Sequence, residues 1–156
     1  DLRTIGLSAT VAEPMDLRRW LVAQAPETEK HAGLVTAPGG ARPIITILKS
    51  EERVPWSGHS AKYAMPEVYE AIKQHKTALL FVNTRSQAEI LFQELWNINE
   101  DTLPIALHHG SLDVGQRRRV EAAMAENRLR AVVATSTLDL GIDWGDVDLV
   151  IHVGAP

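Results

Sequence analysis

Three short apolar runs, "TALLFV" at 77–82, "RAVVAT" at 130–135 and "DLVIHV" at 148–153, constrain this chain more than any other feature. They read as strands apolar on both faces. Strands of that kind belong to parallel sheets covered by helices on either side. The segments between them support this. Residues 84–97 place Ile90, Leu91, Leu95 and Trp96 at helical spacing, and residues 113–126 place Val114, Val120, Ala123 and Met124 the same way, behind Asp113 as a cap. "PIALHH" at 104–109 reads as a strand between them, and 136–141 as a short helical turn. Strands alternating with helices predict an α/β domain, a three-layer sandwich around a mostly parallel sheet.

The amino-terminal part is less regular. Residues 2–7 read as a short strand, 13–24 as a helix with Pro14 in its first turn and Leu17, Trp20, Leu21 and Gln24 on one face, and 25–42 as a Pro/Gly-rich linker. The β-branched run 43–48 reads as a strand, 50–60 as a loop, and 66–75 as a helix opened by Pro66.

In a parallel sheet, ligands gather beyond the carboxyl ends of the strands. That rule selects Asn83-Thr84-Arg85, His108-His109-Gly110-Ser111 and Thr135-Ser136. Each offers short polar groups or a glycine, and each leads into a helix whose amino end favours anions. Three such turns along one edge suit a sugar–phosphate backbone held without base readout. Thr84 and Ser136 are equally suited to be helix caps, and the two roles are compatible. Adjacent residues on a strand face opposite ways, so His108 and His109 do not pair on one metal, and no metal site is expected.

Charge adds a limit. With net charge −4 there is no global basic footprint, but the window 117–130 holds five arginines against two glutamates, a local +3. Arg117, Arg118 and Arg119 also fit a solvated helix face. The four tryptophans, at 20, 56, 96 and 144, read as core or domain-contact residues. There is no cysteine and no apolar run of about 18 residues, so disulfides, thiolate metal sites and an apolar membrane-spanning helix are excluded. A reducing, cytoplasmic setting is expected. The residues alone leave room for a cofactor-binding module or a non-catalytic scaffold, although no G-x-G-x-x-G occurs.

Taken in order, these residues resemble the motif series of superfamily 2 helicases. "SAT" at 8–10 looks like motif III, "LLFVNTRSQAE" at 79–89 like motif IV, "HHGSLDVGQRRRVE" at 108–121 like the motif after it, and "VVATSTLDLGID" at 132–143 like motif V. "HHGSL", "LDLGIDWGDVDLVI" and "VGAP" resemble the Lhr type, in particular the bacterial ligase-associated DEXH-box helicases. The resemblance implies a RecA-like fold. Residues 1–12 would then be a remnant of a first RecA-like domain, 13–42 a linker helix and loop, and 43–156 a second RecA-like domain cut before motif VI. Ser8, Ala9 and Thr10 would couple the ATP state to domain closure. Asn83, Thr84, His109, Gly110, Ser111, Thr135 and Ser136 would touch the nucleic-acid backbone. Gly141 and Asp143 would face the nucleotide.

The same resemblance implies ATP and Mg²⁺ in the full-length enzyme, with neither expected on the isolated chain. Implied partners are single-stranded or partly duplex DNA or an RNA–DNA hybrid, the first RecA-like domain in cis, and a DNA ligase and nuclease of a repair operon. Residues 2–10, cut from that first sheet, are expected to add as an edge strand to their own sheet or to a neighbouring copy.

Overall fold

The computed structural model describes residues 3–8, 11–27, 29–37, 42–49, 61–136, 138 and 145–154. The chain divides into two compact units, Asp1–Ile45 and Thr46–Pro156.

The larger unit is built on four parallel strands in the order β2-β3-β1-β4. They are β1 (Thr77–Val82), β2 (Ile105–His108), β3 (Ala131–Ala134) and β4 (Val147–Val153). Strand β1 pairs on both sides, Phe81 opposite Ala134 of β3 and His152 of β4. Asp148 starts the pairing with β4: its carboxylate accepts the backbone N–H groups of Lys76 and Thr77 at 3.0 and 3.1 Å.

Alternation along β1 and β3 divides the apolar residues between two helix layers. Ala78, Leu80, Val82, Ala131 and Val133 face a core shared with α2 (Met65–Gln74) and α3 (Arg85–Asn97). Leu79, Val132 and Ala134 face the other way, against Met124 of α4 (Val114–Ala125) and Leu138. The three layers expected from the sequence are therefore present. Helix α2 buries Met65, Val68, Tyr69 and Ile72, a stripe at helical period. Beyond its end the Tyr69 hydroxyl lies 3.0 Å from Asn99 and 3.1 Å from Asp101, and Lys73 pairs with Asp101 at 3.1 Å. That network ties α2 to the α3–β2 turn.

Several expectations are corrected. Residues 3–8 are not an edge strand: they run without sheet pairing, with Ile5 and Leu7 exposed. The smaller unit contains α1 (Pro14–Trp20) but, among its described residues, no strand to pair with, and Gly6 passes close to the Leu21 side chain instead. Residues 43–48 are likewise irregular, with Ile44, Ile45 and Ile47 exposed. β-branched residues favour a strand only where neighbouring strands accept them.

Helix α1 stops at Trp20, short of the expected residue 24, because the Gln24 amide folds back to the carbonyls of Arg19 and Val22. Ile90, Trp96 and Val114, expected inward, are exposed, as are Leu17 and Trp20. Helical spacing gives a stripe, and α3 buries only Ala88, Leu91 and Leu95 of it. Strand β4 is a sheet edge whose residues alternate between half-buried and exposed, so it is not apolar on both faces.

Leu80 is fully buried at the centre of β1. Leu80→Ala is expected to cost about 2–5 kcal/mol, read as a lower urea midpoint with unchanged slope. A second expectation concerns acid. A hydrogen bond from Lys73, then one from Tyr69, holds the Asp101 carboxyl below its ordinary range. Burial pushes Asp148 up, but the N–H groups of Lys76 and Thr77 outweigh it and leave that carboxyl lowered too. A carboxylate lowered in the folded chain contributes stability above its unfolded value, about 3.9, and loses it as pH falls through the folded value. Unfolding at pH 3 should therefore need less urea than at pH 6. Asp148→Asn should narrow that difference; an unchanged difference would count against this role of Asp148.

Candidate nucleic-acid interface

Because the strands are parallel and in register, their carboxyl ends open on one edge. His108 of β2 lies opposite Ala134 of β3, and Ala134 opposite Phe81 of β1. The residues that follow, His109, Thr135 and Asn83, thus leave three neighbouring strands at the same end of the sheet, with strands about 4.8 Å apart. The turns are tied together: Thr135 N–H donates to the His108 carbonyl at 3.2 Å, and Leu112 N–H to the His109 carbonyl at 3.1 Å.

Thr84 caps α3. Its hydroxyl accepts Gln87 N–H at 3.2 Å, and the Gln87 side chain accepts Thr84 N–H at 3.1 Å, a reciprocal capping box. The cap reading of Thr84 therefore holds, whatever else the residue does. At α4 the Asp113 carboxylate accepts Gly115 N–H at 2.8 Å and Gln116 N–H at 3.3 Å. A Cβ on Gly115 would meet that carboxylate oxygen at 2.9 Å, so the glycine makes room for the cap. With a carboxylate already seated there, the amino end of α4 is a poorer anion site than that of α3.

Asn83, Gly110, Ser111 and Ser136 are exposed on this edge, whereas Thr135 is buried. The two histidines are buried as well, and they face opposite layers as strand alternation requires. His108 Nε2 lies 3.1 Å from Glu121 of α4, and His109 Nε2 lies 3.4 Å from Glu89 of α3. Among the described residues no cluster of three or more His, Asp or Glu is placed to hold a metal ion. Ser8 is described, in the smaller unit. Ala9, Thr10, Gly141 and Asp143 lie outside the described residues, as do Trp56 and Trp144.

The basic window 117–130 does not form one patch. Arg117, Arg118 and Arg119 sit in the first half of α4, near the carboxyl edge. Arg128 pairs with Glu126, and Arg130 donates to the His75 carbonyl, before β3 begins. These last two line a groove of about 420 Å³ at the amino end of the sheet, with Lys76, Pro104 and Asp146. Two residues on the carboxyl edge were given no role by the sequence reading, although Arg85 was selected at its strand end. Arg85, first in α3, donates through Nε to Glu89 at 2.8 Å. Gly154, at the end of β4, has φ +96° and comes close to the Asn83 amide. The i, i+4 spacing of Arg85 and Glu89 was the available signal.

The comparisons with known proteins agree with this architecture. The model of the helicase conserved C-terminal domain matches residues 62–156. The chain is 31% identical to the Lhr helicase/probable uracil glycosylase of Mycolicibacterium smegmatis, covering 97% of this chain and 12% of that protein. It is 32% identical to ATP-dependent helicase Lhr-Core protein 2 of Thermococcus barophilus, over 100% of this chain and 18% of the relative. A solved structure of Mycobacterium smegmatis helicase Lhr bound to ssDNA and AMP-PNP superimposes with a TM-score of 0.70 at 35% identity, over 97% of this chain and 20% of that one. The chain thus spans less than a fifth of the length of these two curated relatives. With the parallel sheet, the three layers and this match over 62–156, the chain belongs to the helicase conserved C-terminal domain family, and its relatives include the Lhr-type helicases.

Proposed function

We propose that this chain is the second RecA-like domain of an ATP-dependent DNA helicase and supplies one wall of its strand-tracking groove. One observation carries the reading: three neighbouring parallel strands release Asn83-Thr84, His109-Gly110-Ser111 and Thr135-Ser136 at the same sheet edge. The solved Lhr relative, bound to ssDNA and AMP-PNP, supports it. Hydroxyl, amide and backbone N–H donors on that edge hold sugar and phosphate without reading bases, which makes the grip sequence-independent and salt-sensitive.

In this reading Gly141 and Asp143 face the nucleotide, and ATP with Mg²⁺ supplies the free energy for domain closure. Ser8, Ala9 and Thr10 couple closure to a first RecA-like domain in cis, and residues 13–42 connect the two. DNA repair, beside a ligase and nuclease in the cytoplasm, is the setting we assign. Among the described residues no helix is long and apolar enough to cross a membrane.

Half a groove on a chain of net charge −4 binds weakly. A (dT)₁₀ oligonucleotide is expected to bind in the range of about 1–100 µM at low salt and to be released as salt rises. Ser111→Ala with Ser136→Ala removes two exposed hydroxyls and should weaken binding about three- to tenfold. Sub-micromolar affinity at physiological salt, or an unaffected double variant, would contradict the proposal. Hydrolysis is a separate matter. These 156 residues contain neither G-x-x-x-x-G-K-[ST] nor D-E-x-H. The chain alone should hydrolyse ATP no faster than a buffer blank, and turnover abolished by Asp143→Ala would refute that.

A further inference from the structure

Glu89 stands between a guanidinium and an imidazole at the edge of the proposed groove. Its Oε1 accepts Arg85 Nε at 2.8 Å and lies 3.4 Å from His109 Nε2. Arg85 is largely exposed and follows Thr84 directly, so it sits where a backbone phosphate would pass. The His109 ring is buried, and among the described residues neither of its nitrogens has a hydrogen-bond partner. Among the described residues Glu89 of α3 is the charged group facing it, and Arg85 reaches it only through Glu89. His108, its chain neighbour, faces the opposite layer and Glu121 of α4.

We propose that Glu89 is a shared carboxylate: a phosphate that draws Arg85 away leaves Glu89 to be balanced by a protonated His109, so that binding single-stranded nucleic acid takes up a proton. The proton comes from solvent and adds to a free imidazole nitrogen, and Arg85 keeps its charge throughout. Before binding, one carboxylate and one guanidinium pair. Afterwards two pairs exist, phosphate with Arg85 and Glu89 with imidazolium. Imidazole is the side chain suited to this exchange, because it changes charge near neutral pH. Arg85, and to a smaller extent His109, already hold the Glu89 carboxyl below its ordinary range, as a carboxylate used by both requires. Glu89 is about half exposed, so water shares the neutralisation and the uptake is a fraction of one proton.

This inference rests on the proposed nucleic-acid grip, and the test separates the two. The 156-residue chain is titrated with (dT)₁₀ at low salt near pH 6.5, by calorimetry in buffers of different ionisation heat. Net proton uptake is expected, with affinity about two- to tenfold higher per pH unit lowered, the upper figure being one full proton. Glu89→Gln, at an exposed position, should bind with little proton exchange and a flatter pH dependence. His109→Gln should do the same where its melting temperature shows it folded. Binding by the wild-type chain without proton uptake, or uptake retained in Glu89→Gln, overturns this inference alone. Absence of binding at low salt overturns the proposed function and this inference with it.

Discussion

The hydrogen-bonded register of β1 with β3 on one side and β4 on the other is the constraint on which the rest depends. A strand paired on both edges and covered on both faces must be apolar throughout, and "TALLFV" nearly is. Its one hydroxyl, on Thr77, donates to the Leu129 carbonyl at the sheet's amino end. Because all four strands run the same way, the chain must return to the amino edge after each one. Helices α3 and α4 make two of those returns, on opposite faces. Polar residues are thereby driven to the strand ends, where backbone and side chains meet water. A donor-lined edge is thus a consequence of parallel topology, and the helicase family is one use of it.

How much could be read in advance follows from the same logic. Strand β1 was placed to the residue, and α3 and α4 to within a residue at each end, because burial on both faces and caps at Thr84 and Asp113 are local signals. Residues 3–8 and 43–48 misled for a physical reason. Their β-branched and aliphatic residues have strand propensity, but a strand exists only with a partner, and no local pattern says whether one is present. Inward-facing assignments failed at Ile90, Trp96 and Val114 because periodicity gives a direction and not the width of the covered stripe. On the site, the common edge was legible from the three strand ends. The burial of His109 and its approach to Glu89 were not, since both depend on how α3 lies across β2.

Charge shows the difference between a stretch of sequence and a surface. The five arginines of 117–130 lie within fourteen residues, yet the fold sends Arg117–Arg119 toward the carboxyl edge and spends Arg128 and Arg130 at the amino edge on Glu126 and a backbone carbonyl. Arg85, outside that window, opens α3 directly after Thr84 at the carboxyl edge. Net charge sums over the whole chain, so a value of −4 does not describe the carboxyl edge, where Arg85 begins α3 and Arg117–Arg119 lie in the first half of α4.

The two histidines complete the argument about what this edge is made of. A side chain that contacts a passing strand should be exposed, and Ser111, Ser136 and Asn83 are. His108, the last residue of β2, and His109 just after it are buried, each against a glutamate on a different helix layer. Their position ties the turn that carries Gly110 and Ser111 to α3 on one side and α4 on the other. A backbone grip needs donors held at fixed separations, since phosphates offer no shape to adapt to beyond their spacing. Anchoring the turn from both layers supplies that rigidity. The same burial that takes the His109 ring off the surface places it beside Glu89.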